Sequence, residues 1–382
     1  MHPTGVCATP AARSGSPNAR NASGCLSKAG AIWERHNDRV SKYWDPAWQQ
    51  PTVIFSGRHD VETLAHAVDE GAQAGFGIPE DAYKDCSRKD GLLRVATVGP
   101  DYTVQVAAND RVHAADLQRQ IGRLTFYFIC SRPRIVAVEE ECGVDDQALT
   151  LTFDALLDDG STQRMSRTMD IPDGVEVGPI GYEAGGAVLL RGPRGAQVRQ
   201  QAALLAQMYF APLREAWIPS LFDLRIHYIG RARGQTRQTC ALDRLEAHPK
   251  YIEAMEQILH SEHRNRDVWL ILASGTTMHL MTGHSSRAID PTQLEAGDER
   301  ARRLLREANR IDLTEALLIN YFKPPLNDQH TGAFNLKGTV LEKVRRAEIT
   351  GLALAFATDD LRVAAFTEEI PPRLYHAKMT CL

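Results

Sequence analysis

A series of short β-type segments between residues 92 and 190 constrains the fold most strongly. Each segment is long enough for one strand and too short for a typical helix. The segments span residues 92–98, 103–107, 124–130, 135–139, 149–157 and 187–190. Turn-forming pairs such as Gly99-Pro100 and Asp159-Gly160 separate them. This half of the chain is therefore predicted to form a mostly antiparallel sheet with a few helices packed on it.

The second half alternates helical and strand patterns. A helix at 196–210 leads into strands at 224–229, 268–273, 349–357 and 362–366 and helices at 240–248, 251–260, 291–309 and 313–322. This order predicts the α+β class. We expect a disordered tail at 1–27, a mixed-sheet α+β domain of unknown role at 28–212, and a smaller α/β domain with a C-terminal extension at 213–382.

Composition excludes several classes of protein. Lys and Arg number 44 against 48 Asp and Glu, a net charge of −4, which argues against a wholly basic nucleic-acid coat protein. No apolar run reaches the ~18 residues of a membrane-spanning helix, so no membrane association is expected. Seven scattered cysteines without zinc-site spacing favour a cytoplasmic location.

Two candidate groups stand on or after the strand at 224–229. Tyr228 opens the sequence Tyr228-Ile229-Gly230; by the two-residue period of a strand it would share a face with Leu224 and Ile226, as a core aromatic. Arg244 and His248 lie four residues apart on a predicted helix. They would project from one face, where Arg suits a phosphate, or they would simply line a solvated surface.

Two further candidates flank the helix at 313–322. Asp312 and Glu315 have the spacing of a capping box, in which an acid accepts backbone hydrogen bonds, but Glu315 would equally serve as a Mg²⁺ ligand. Asn327 closes the sequence Pro324-Pro325-Leu326-Asn327, either as a turn residue or to orient a site. None of these features is specific by itself.

Taken in order, the four features resemble the GIY-YIG nuclease family over roughly residues 213–330. Tyr228-Ile229-Gly230 is similar to the second signature strand, and the helix of Arg244 and His248 is similar to the family's Arg helix. The Glu315 helix and Asn327 follow in the family's order. No tyrosine lies within residues 217–223, where the first Gly-Ile-Tyr strand would be expected.

The resemblance implies metal-dependent hydrolysis of nucleic-acid phosphodiester bonds. Glu315 would hold Mg²⁺ or Mn²⁺, Arg244 would clamp the phosphate, and Asn327 would orient the site. Tyr228 would contact or help to deprotonate the attacking water, with His248 as an alternative base.

Local charge is consistent with a polyanionic partner, with DNA favoured. Basic residues outnumber acidic ones between residues 225 and 250; besides Arg244 they are Arg225, Arg231, Arg233, Arg237 and Lys250. Such a cluster would also be expected on an ordinary solvated surface. Two other functions therefore stay open: a nucleic-acid-binding or partner-binding module built on a nuclease fold that has lost activity, and an unrelated enzyme with its site in residues 28–195.

Overall fold

The computed structural model describes most of the chain from residue 91 onward. The described residues are 55–58, 86–87, 91–100, 102–108, 124–145, 147–171, 178–183, 186–191, 197–211, 218–232, 249–260, 265–275, 277–284, 290–329 and 338–382. The predicted tail at 1–27 and the predicted helix at 240–248 lie outside them.

Helices and strands are mixed throughout these residues, which confirms the α+β class. The strands are β1 Phe55–Arg58, β2 Leu92–Gly99, β3 Tyr102–Ala107, β4 Leu124–Ala137, β5 Gly143–Val144, β6 Ala148–Leu156, β7 Thr162–Asp170, β8 Gly181–Glu183, β9 Ala187–Arg191, β10 Gln197–Gln201, β11 Leu224–Arg231, β12 Arg266–Ser274, β13 Thr277–His284, β14 Gly351–Ala357, β15 Ala365–Phe366 and β16 Tyr375–Cys381. The helices are α1 Ala202–Phe210, α2 Ile218–Phe222, α3 Pro249–His260, α4 Pro291–Leu304, α5 Glu307–Phe322 and α6 Thr339–Arg346.

The main sheet is built around the long strand β4. Its strand order is β1, β3, β12, β4, β11, β15, and β6 extends it from the second half of β4 with β5 and β7 as neighbours. Strand β4 pairs antiparallel with β12 and β11, and the short β15 pairs parallel with β11. Past Pro133, β4 leaves β12 and pairs with β6. A proline suits this position because it has no N–H to donate to a ladder.

Apolar side chains on both faces of β4 place it between two cores. Phe126 and Phe128 belong to a first core, which also contains side chains of α1, α2 and α5. Tyr127 and Ile129 alternate with them and belong to a second core beneath α3. A strand covered on both faces needs a nearly continuous apolar sequence, which residues 124–130 supply.

A four-stranded sheet closes the first core from the other side. Its order is β13, β2, β14, β16, with β2 and β14 parallel and the outer pairs antiparallel. Phe356 of β14 stacks on Phe128 of β4 with ring centroids 5.0 Å apart, so the two sheets face each other. A separate three-stranded sheet has the order β10, β9, β8.

Two predicted helices differ from the structure. The helix expected at 196–210 begins as strand β10, because residues 197–201 pair antiparallel with β9, and becomes helical only at Ala202. The helix expected at 291–309 is divided into α4 and α5, and the Asn309 side chain donates to the carbonyl oxygen of Leu304 at the junction (3.1 Å).

The strands on either side of the predicted boundary at 212 and 213 are neighbours in one sheet. Strands β11 and β12 flank β4 and hydrogen-bond to it along most of their length. Residues 52–382 form one compact unit. No helix among the described residues is both long enough and apolar enough to cross a membrane.

Candidate functional site

The Tyr228-Ile229-Gly230 sequence lies on β11, where an irregularity in pairing changes which face each residue occupies. The register shifts between Ile226 and Tyr228, so that Ile226 pairs with Cys130 but Tyr228 pairs with Ile129. Tyr228 therefore leaves the face of Leu224 and Ile226 and packs against the second core. The prediction that the three residues share a face is wrong, because a bulge interrupts the two-residue period.

A second tyrosine, Tyr127 of β4, lies beside this sequence. It pairs with Gly230, and its ring centroid is 6.0 Å from that of Tyr228. A Cβ added at Gly230 would lie 2.5 Å from the Tyr127 hydroxyl oxygen, so the close approach of this ring requires a glycine. Sequence reasoning missed Tyr127 because about a hundred residues separate it from Tyr228 and only the strand pairing joins them.

Asn327 fastens the segment after α5 to β11. Its Oδ1 accepts from the backbone N–H of Ile229 (2.9 Å), and its Nδ2 donates to the carbonyl oxygen of the same residue (2.8 Å). The backbone N–H of Leu326 also donates to the carbonyl oxygen of His227 (3.1 Å). The segment thereby pairs with backbone groups of His227 and Ile229 on the edge of β11, beyond the two residues that β15 covers.

Asp312 and Glu315 lie within α5, three residues apart, and share one basic partner. The Arg231 Nε lies 2.7 Å from Glu315 Oε2, and the same guanidinium donates to Asp312 Oδ1. Helix α5 begins at Glu307, so Asp312 and Glu315 stand one to two turns inside it. The capping-box interpretation is therefore wrong, because neither residue lies at the helix N-terminus, where the unpaired N–H groups are.

Tyr228 and this carboxylate cluster lie on opposite faces of the main sheet. Arg231 pairs with Phe126, which belongs to the first core, whereas Tyr228 pairs with Ile129 of the second. Side chains an odd number of residues apart on a strand point to opposite faces. Of the predicted site residues, the structure thus joins Glu315 and Asn327 to β11 but does not bring Tyr228 to the Glu315 face.

The described basic residues of the predicted nucleic-acid surface contact acidic side chains. Arg225 pairs with Glu368. Lys250 lies 3.0 Å from Glu253 and 3.5 Å from Asp328, and hydrogen bonding to Glu253 raises the pKa of Lys250. Arg231 pairs with Asp312 and Glu315, as above. The other predicted residues, Arg233, Arg237, Arg244 and His248, lie outside the described residues.

The carboxylates offer the oxygen donors that Mg²⁺ and Mn²⁺ prefer. One or two carboxylates, completed by water and substrate phosphate, are a usual protein contribution to a Mg²⁺ site. Glu315 and Asp312 fit that donor set, although Arg231 already pairs with both and offsets one of their two negative charges. In the described part of the chain, neither this cluster nor any other place has three or more His, Cys, Asp or Glu side chains arranged to hold a metal.

Comparison with known proteins finds no matching family model, no similar curated protein and no similar solved structure.

Proposed function

We propose that the chain hydrolyses nucleic-acid phosphodiester bonds with the help of Mg²⁺ or Mn²⁺, and that its substrate is DNA. The observation that carries this proposal is the meeting of three separate sequence features on one strand. Asn327 bonds to the backbone of Ile229, and Glu315 contacts Arg231, one residue past Gly230. These features are up to about a hundred residues apart, so local sequence preference does not account for their meeting.

Each residue of the site has a distinct part in this proposal. Glu315, with Asp312, would hold the cation, which supplies neutralisation of phosphate charge and acidifies a bound water. Arg231 keeps the two carboxylates together on α5 before a cation binds. Asn327 fixes β11 against the end of that helix. Arg244 is proposed to contact the phosphate, and His248 or Tyr228 to accept a proton.

A second candidate is a binding module on a nuclease-like fold that has lost catalysis. Two observations favour it: Arg231 occupies the carboxylates that a metal would need, and Tyr228 faces the opposite side of the sheet from Glu315. In a nuclease, a cation must compete with the Arg231 guanidinium for Asp312 and Glu315. A binding module that needs no metal requires no such competition.

Cleavage by a Glu315→Gln variant distinguishes the two candidates. Single- and double-stranded DNA and RNA are incubated with the full chain and Mg²⁺ or Mn²⁺, and thermal unfolding is followed in parallel. We expect cleavage by the wild type and a loss of at least about a hundredfold in the variant, because an amide is a poor ligand for a hard cation.

Glu295→Gln, which alters an exposed carboxylate on α4, is the matched control and should retain activity. Full activity of the Glu315 variant would remove the metal role. Binding without cleavage by the wild type would instead support the binding module.

We further propose that the protein works in the cytoplasm, the location favoured by its cysteine distribution. The test is fractionation of the tagged chain in its native cell. Recovery outside the cytoplasmic fraction would contradict this part of the proposal.

A further inference from the structure

A disulfide connects the end of the chain to a residue far upstream. Cys86 and Cys381 are bonded across a sequence separation of 295 residues. Cys86 is buried, and its Sγ would lie 3.3 Å from a Cβ placed at Gly351, so it packs on the start of β14. Cys381 is exposed at the end of β16. The bond thus joins a buried residue to an exposed one.

Strand β16, which the disulfide secures, is the outer strand of the four-stranded sheet. It pairs antiparallel with β14. Its side chains also reach α5. Lys378 Nζ donates to Asn320 Oδ1 (3.0 Å), and His376 Nδ1 lies 3.1 Å from the Tyr321 hydroxyl oxygen. Helix α5 carries Glu315 five residues before Asn320, a rise of about 7.5 Å along the helix. The disulfide thus secures a strand that supports the helix of the candidate site.

We propose that Cys86–Cys381 is a reversible thiol–disulfide exchange site, a latch that a dithiol reductant opens to release β16 from residue 86. A thiolate of the reductant attacks the Sγ of Cys381, the exposed residue of the pair, forming a mixed disulfide, and the Cys86 sulfur leaves as a thiolate that takes up a proton. The second thiol of the reductant then attacks the mixed disulfide. Cys381 is released as a thiol and the reductant becomes a cyclic disulfide, so two electrons and two protons pass to the protein.

Two features favour exchange over a permanent cross-link. Cys381 is an exposed residue at the end of β16, and exposed disulfides are the ones that exchange most readily. The proposed cytoplasmic location, on which this point rests, is also one where disulfides are mostly transient or regulatory. The described unpaired cysteines differ in setting: Cys130 is buried, and Cys142 hydrogen-bonds to the backbone of Thr152.

The test is hydrogen exchange of the full native chain with and without dithiothreitol, alongside thiol alkylation and mass spectrometry. We expect two newly alkylated cysteines, 86 and 381, and at least tenfold faster amide exchange in residues 375–381. Amides of β4 should keep their protection. Reoxidation with glutathione disulfide should restore the original exchange rates.

Cys381→Ser and Cys86→Ser should each reproduce the reduced pattern without reductant, and Cys142→Ser should not. Unchanged exchange in β16 after reduction would overturn the proposal. Loss of protection throughout the molecule would also overturn the proposal, because it would show that the disulfide is needed for the fold as a whole. A bond that the dithiol reduces only after the protein unfolds would overturn it as well, because the disulfide would then be a permanent cross-link. None of these measurements depends on nuclease activity, so their failure is distinct from failure of the proposed function.

Discussion

His376 shows how burial decides the charge of a single residue. Its ring is buried among aromatic side chains, with centroids 4.7 Å from that of Phe322 and 6.0 Å from that of Phe356. Its Nδ1 accepts from the Tyr321 hydroxyl (3.1 Å), and its Nε2 donates to the Arg373 carbonyl oxygen (3.0 Å). Burial disfavours the cation and lowers the pKa of His376 to about 4.

This lowered pKa predicts that acid destabilises the protein through His376. The unfolded chain, with a histidine pKa near 6.5, takes up the proton first, so stability falls as the pH drops from about 6.5 to 4. The slope from this group is at most about 1.4 kcal/mol per pH unit. Urea unfolding at pH 7, 6 and 5 should show a shallower pH dependence in His376→Gln than in the wild type.

Asp223 provides the opposing control. Burial raises the pKa of Asp223 to about 6, so the folded chain takes up that proton first and stability increases as the pH falls from about 6 to 4. Asp223→Asn should therefore steepen the acid destabilisation that His376 causes. A His376→Gln variant with the wild-type pH dependence would show that folding leaves the pKa of this histidine unchanged, because only then do the folded and unfolded chains bind its proton equally.

At the scale of elements, local patterns located most strands but not their exact pairing. Residues 92–98, 103–107 and 149–157 are strands within a residue of their predicted limits, because apolar and β-branched residues mark them clearly. Strand β7 was not predicted, since its sequence is mostly polar and only Met165 is fully buried. Its pairing with β6, rather than its own composition, makes it a strand.

In the candidate site too, the sequence identifies candidate residues better than it predicts which of them meet. Sequence order identified Glu315 and Asn327, and both contact β11. It did not predict that Arg231, assigned to nucleic acid, would pair with Asp312 and Glu315, nor that a bulge would turn Tyr228 away from them. Both outcomes depend on the register between strands and on the placement of α5, which no local pattern encodes.

The Arg231 pairing predicts that removing the guanidinium strengthens cation binding by α5. Arg231→Gln leaves Asp312 and Glu315 without their shared positive partner, three residues apart on one helix face, where they repel each other. A divalent cation relieves that repulsion, so the affinity for Mn²⁺ should rise by about tenfold or more over the wild type. Isothermal titration with Mn²⁺ measures the change without any substrate.

Arg225→Gln is the matched control for this titration. Arg225 lies on the same strand and also pairs with a carboxylate, Glu368, but that carboxylate is largely exposed, and the neighbouring Glu369 pairs with Lys323 instead. Its removal should leave Mn²⁺ affinity unchanged. Equal affinities for wild type and Arg231→Gln would mean that the two carboxylates do not form a cation site.

At the scale of the whole molecule, the main sheet unites sequence from both sides of the boundary predicted at 212 and 213. The sequence predicts this boundary just after the helix expected at 196–210. Local patterns do not reveal which strands pair, and here β11 and β12 flank β4, which begins about 100 residues before β11 and about 140 before β12. Both cores include side chains from β4 and from the later strands.

This arrangement predicts that residues 213–382 do not fold without the preceding sequence. Removing β4 separates β11 from β12 and exposes backbone hydrogen-bonding groups along both, which are costly to leave unpaired in a core. It also removes Phe128 from its stack on Phe356. The fragment should lack a cooperative thermal transition and bind a hydrophobic dye, as judged by circular dichroism and fluorescence.

A chain beginning at Thr52, which keeps the strands of the main sheet, is the control and should unfold cooperatively. A cooperative transition in the 213–382 fragment, with the near-ultraviolet spectrum of packed aromatic side chains, would show that this part of the chain is a domain of its own.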